Sequence, residues 1–70
     1  MRKKEKIAVY PGSFDPPTFG HLDVINRSLE IFDKIIVLVS DNKNKNYMFS
    51  KDERFEMVKE MTKDIEKVSV

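Results

Sequence analysis

The stretch YPGSFDPPTFGH, residues 10–21, holds both glycines, all three prolines and the single histidine of the chain. Proline fixes φ and removes a backbone donor, and glycine removes the Cβ that limits close approach, so this segment reads as a shaped connection between two regular elements. The rest of the chain has neither residue type to spare for turns.

The flanking patterns say what is connected. Ile7, Ala8, Val9 and Tyr10 form a short apolar run that Pro11 and Gly12 end, as in a buried strand entering a turn. From His21 to Phe32 the residues Leu22, Ile25, Leu29 and Phe32 recur at helical spacing, with Asp23, Asn26, Arg27 and Glu30 opposite them. Ile35–Val39 is unbroken and rich in β-branched residues, the pattern of a strand covered on both faces and paired in parallel. Asp41–Asn46 is polar and asparagine-rich, a loop by composition. Ser50 and Glu53 have the spacing of a capping box opening a second helix, whose buried face is expected at Phe55, Val58, Met61 and Ile65. Val68 and Val70 then alternate with Lys67 and Ser69 as a third strand begins.

Strand, helix, strand, helix, strand predicts an α/β fold, the Rossmann-like β-α-β-α-β half of a doubly wound parallel sheet, with right-handed crossovers. Such sheets bind ligands beyond the carboxyl ends of their strands, in a crevice with two walls, and this chain encodes one. Seventy residues is short against the roughly 100–150 of a common domain, so residues 1–70 read as the N-terminal half of a single domain, truncated or completed by a partner.

Composition removes several function classes. Thirteen basic and twelve acidic side chains leave a net charge of +1. The cluster Arg2, Lys3, Lys4 and Lys6 has acids interspersed and no aromatic interleaving, so a solvated tail is expected there and no nucleic-acid partner. Ile35–Val39 falls far short of the roughly 20 apolar residues of a membrane span. With no cysteine, the chain suits a reducing compartment, and the cytoplasm is the expected location.

A glycine turn that leads from a strand into a helix places the helix's unpaired N–H groups at the mouth of the crevice, where anions are favoured. Gly12 then permits a sharp turn or the close approach of a phosphate, and Gly20 keeps the first helical turn accessible. Ser13 reads as a phosphate donor or as a tie for the turn's own backbone. Asp15, with no second acid near it, reads as an acceptor for the loop's amides. Thr18 satisfies loop backbone groups, and His21 is either a catalytic imidazole or an ordinary helix-start residue.

The combination resembles the T/H-x-G-H nucleotidyltransferases, the signature being Thr18, Phe19, Gly20 and His21. The entry Tyr-Pro-Gly-Ser-Phe-Asp-Pro, followed by Asn42, Lys45, Phe49, Glu53 and Arg54, is similar to the phosphopantetheine adenylyltransferase family. Nicotinate mononucleotide adenylyltransferases share the Gly-Ser/Thr-Phe-Asp-Pro-Pro core, and Pro17 leans their way, but they usually open the signature with histidine where this chain has Thr18. The resemblance implies transfer of AMP from ATP to 4′-phosphopantetheine, giving dephospho-coenzyme A and pyrophosphate, with Mg2+ bridging phosphate oxygens. It implies ATP binding by Ser13, Phe14, Gly20 and His21, with His21 catalytic, and acceptor binding by Ser13 and Lys45. Complete chains of the family are expected to form hexamers. Because the family's further arginines and second phosphate motif lie in its C-terminal half, residues 1–70 alone are expected to turn over poorly. The contrasting expectation is a nonenzymatic fragment that binds nucleotide phosphates or self-associates.

Overall fold

Two strands with a shared register form the base of the molecule, whose computed structural model describes residues 4–70. Strand β1, Ile7–Gly12, pairs in parallel with β2, Lys34–Val39, from Ile7↔Lys34 to Gly12↔Val39. Strand β3, Val68–Ser69, adds to the far side of β2, also in parallel, so the sheet order is β1-β2-β3. Helix α1, Phe19–Ser28, connects the first two strands, and α2, Lys51–Thr62, connects the second and third. The expected α/β half-unit is therefore present. Arg2 and Lys3 of the anticipated basic tail lie outside the described residues, while Lys4 and Lys6 are exposed.

Alternation along β2 decides where the core sits. Ile35, Val37 and Val39 are buried together with Ile25 of α1, Val58 of α2 and the loop residue Phe14, so both helices lie on one face of the sheet. The other face carries Ile7, Val9, Ile36 and Leu38, which remain between 40% and 57% exposed. The expectation that Ile35–Val39 is covered on both faces is thus corrected: pairing is parallel, but among the described residues one face is bare. An unbroken apolar run marks a strand suited to burial on both sides without saying what covers each.

The helices start and stop for local reasons. Thr18 caps α1 and Ser50 caps α2, each with an extended backbone and a hydroxyl that accepts the N–H of the third helical residue. Helix α1 ends at Ser28, four residues short of Phe32, and the chain continues in turns with Leu29 and Phe32 still packed on the core. The buried stripe of α2 is Arg54, Val58 and Thr62, flanked by the half-buried Phe55 and Met61. Thr62 satisfies its hydroxyl within the helix, donating to the Val58 carbonyl at 2.9 Å. No helix among the described residues is long and apolar enough to cross a membrane.

Candidate active site

The carboxyl ends of β1 and β2 each run into a loop and then a helix N-terminus, and the residues of interest lie on these two junctions. In the first, β1 continues through Pro11 and Gly12 before the chain turns. Phe14 follows with φ of 52°, a left-handed conformation that costs a non-glycine residue on the order of 1–2 kcal/mol. That geometry sends its ring inward: Phe14 is 2% exposed, packed edge-on against Tyr10 and with its centroid 4.8 Å from that of His21. Phe14 is thus the floor under the imidazole, and only its main chain is left to meet a ligand.

Gly12 is explained by the same ring. A Cβ at Gly12 would stand 2.9 Å from Cε2 of Phe14, so the glycine makes room for an aromatic, and its φ is not positive. The left-handed turn conformation expected of such a glycine is therefore not used at Gly12, and its missing side chain is accounted for by packing. Gly20 differs: its φ is also not positive, and a Cβ there would meet only Thr18 Oγ1, at 3.4 Å. The chain's own packing does not require Gly20 to be bare.

His21 is the third residue of α1 and closes a capping box. Its Nδ1 accepts the Thr18 N–H at 2.8 Å, while its own N–H points to Thr18 Oγ1 at 3.4 Å. Accepting at Nδ1 needs that nitrogen's lone pair, which leaves the proton of the neutral ring on Nε2. Nε2–H makes no hydrogen bond among the described residues. The amides of Phe19 and Gly20, both exposed, likewise have no acceptor, and the first turn of α1 contains no acidic residue. Two free amides, a ring N–H and the positive end of a helix therefore occupy one place with no built-in negative charge to answer them.

The second junction carries Lys45, exposed on a turn in which its N–H donates to Asn42 O at 3.0 Å. Asn42 Oδ1 accepts the Asn44 N–H, and the Asn42 N–H donates to Tyr47 Oη at 2.6 Å. Ser50 and Glu53 form the expected capping box, the Ser50 N–H reaching Glu53 Oε1 at 3.0 Å. That bond, with the Ser50 hydroxyl contact, holds the Glu53 carboxyl below its ordinary value of 4.5.

The loop that carries Lys45 is tied to the loop that carries Ser13. Asp15 accepts the N–H groups of Met48 at 2.6 Å and Phe49 at 2.8 Å, so it serves amides as expected, but those of the other loop. Arg54, fully buried, bonds carbonyls from both loops. Sequence reasoning placed no buried charge on α2; the available signal was that Arg54 precedes Val58 by one helical turn on the apolar side.

Residues 9–70 match the cytidylyltransferase-like family, and the chain belongs to that family. The curated relatives narrow the likeness. The chain is 60% identical over 65 residues to the phosphopantetheine adenylyltransferase of Geotalea daltonii, covering 93% of this chain and 40% of that protein. It is 58% identical over 55 residues to the one from Pelagibacter ubique, covering 79% of this chain and 34% of that protein. The enzyme of the same name from Clostridium beijerinckii is 54% identical over 65 residues, covering 93% and 41%. The chain spans about two fifths of the length of the curated relatives it matches.

Proposed function

We propose that this chain provides the nucleotide- and acceptor-phosphate-binding half of an adenylyltransferase that joins AMP from ATP to 4′-phosphopantetheine. The observation that carries the reading is the start of α1, where the unpaired Phe19 and Gly20 amides and His21 Nε2–H sit without any acid in the first turn. The ATP phosphates meet these donors, and the absent side chain at Gly20 leaves the approach open.

The acceptor phosphate is held by Ser13 and Lys45, on the two loops that Asp15 ties together. One of its oxygens attacks the α-phosphorus of ATP; a new P–O bond forms as the bond to the bridging oxygen breaks, and pyrophosphate leaves. No group on the protein is modified. The work of the protein is to bring two anions together and to face the growing negative charge with fixed donors. Phe14 keeps the His21 ring in place from below. Magnesium supplies further charge neutralisation on the phosphate oxygens. No three His, Cys, Asp or Glu side chains converge among the described residues, and both oxygens of Asp15 accept backbone amides. The names of the relatives support the choice of acceptor.

The test is a titration of the 15N-labelled chain with Mg-ATP and, separately, with phosphopantetheine. ATP is expected to shift the amides of Phe19, Gly20 and His21 first, and phosphopantetheine those near Ser13 and Lys45. Millimolar ATP that leaves residues 19–21 unmoved refutes the reading.

A further inference from the structure

We propose that Arg54 is a positioning residue that fixes the acceptor-binding turn of Ser13 against that of Lys45, and so governs acceptor affinity separately from ATP affinity; this rests on the function proposed above. The geometry begins with burial. Arg54 is 0% exposed, and a buried guanidinium is tolerated only when its donors are satisfied. Nε donates to Phe49 O at 3.1 Å, one terminal nitrogen to Ser13 O at 3.0 Å and Ser40 O at 2.8 Å, and the other to the Asp41 carboxylate. Its plane lies over the Tyr47 ring, 4.0 Å from the centroid.

These contacts bracket the Lys45 turn. Ser40 and Asp41 lead into it, Tyr47 and Phe49 lead out of it, and the Tyr47 hydroxyl reaches back to the Asn42 N–H. The same terminal nitrogen that holds Ser40 also holds Ser13, so one rigid fork sets both turns relative to each other. Arg54 makes no hydrogen bond to Gly20 or His21, whose positions come from the Thr18 cap and the Phe14 floor. A role confined to filling space would be met by an apolar side chain of the same volume, but that would leave the carbonyls of Ser13, Ser40 and Phe49 without donors. Lysine keeps the charge and loses the fork.

The experiment compares the wild-type chain with Arg54→Lys and Tyr47→Leu. Phosphopantetheine and ATP are titrated separately, and amide hydrogen exchange is measured without ligand. Tyr47→Leu removes the ring that the guanidinium lies over, and so weakens the hold of Arg54 on the Lys45 turn while its carbonyl acceptors stay in place; it tests the proposal if Arg54→Lys does not fold. The expected result is a rise in Kd for phosphopantetheine of about tenfold or more, the scale of one charge-assisted hydrogen bond, with the Kd for ATP, which Ser13 only borders, rising by no more than about threefold. Exchange should quicken around residue 13 and over 42–49, and not in α1 or along the β1–β2 ladder. Both affinities falling together, neither falling, or exchange quickening uniformly would each overturn the proposal. If the wild-type chain binds neither ligand, the proposed function fails, while the exchange data still decide whether Arg54 joins the two loops.

Discussion

The two strand-to-helix junctions are built on the same device and end in opposite electrostatic states. Thr18 with His21, and Ser50 with Glu53, each form a reciprocal cap in which a hydroxyl and a side chain one turn ahead exchange hydrogen bonds with the backbone. At α2 the partner is a carboxylate, and Asp52 stands beside it, so the positive end of the helix is answered from within. At α1 the partner is an imidazole that caps with one nitrogen and keeps a donor on the other, and the first turn holds no acid. The first arrangement answers the helix end with negative charge, and the second completes the cap while leaving its donors unanswered.

The sharpest way to break the contrast is His21→Glu, which gives α1 the cap of α2. A glutamate at this position can still bond the Thr18 N–H, so thermal stability should hold to within about 1 kcal/mol. ATP affinity should fall by roughly 2.5–4 kcal/mol, because a donor is lost and a negative charge takes its place. Calorimetric titration and a thermal melt read both; ATP binding within twofold of wild type would mean the junctions do not differ in the way described.

The glycines give a second, smaller test within the first junction. Gly12→Ala drives a methyl against the Phe14 ring, 2.9 Å away, and should destabilise the chain by about 1–3 kcal/mol in urea unfolding. Gly20→Ala meets only Thr18 Oγ1 and lies in a helix, so it should leave stability equal or raise it by up to about 1 kcal/mol. It should nonetheless weaken ATP binding, since the methyl narrows the approach that the missing side chain leaves open. A Gly20→Ala chain that loses stability as Gly12→Ala does would erase the distinction.

The smallest effect belongs to the second junction and to acid. The Glu53 carboxyl is held below 4.5 by the Ser50 N–H, so the folded state favours its ionised form. Its contribution is therefore present above the ordinary glutamate value and disappears as pH falls through the lowered one. The Ser50 amide shift, followed by NMR from neutral pH downward, should titrate below 4.5, and Glu53→Gln should abolish that transition. A Ser50 transition that persists in the Gln variant assigns it to another group.

Much of this was legible because it rests on short-range chemistry. The order of elements followed from apolar spacing, and the Ser50–Glu53 cap from a pattern in which the carboxylate is the usual partner. The matching cap at Thr18 was not read, since histidine is not among the residues that pattern names. Arg54 was noted only as part of the family pattern, and its buried role was not read, because its acceptors at Ser13, Ser40 and Phe49 are carbonyls, which every residue has. Phe14 was expected to border a nucleotide, but its inward turn depends on one dihedral angle and on the gap at Gly12. The bare face of Ile36 and Leu38 depends on what packs over the sheet, which no single strand encodes.

The left-handed Phe14 means that the resting chain holds local tension beneath the His21 imidazole. A glycine at that position would relax the main chain and remove the cushion, whereas any bulky L-residue keeps the tension. Firmness of the imidazole and ease of the backbone therefore cannot be improved together there, and substitution at position 14 trades one against the other.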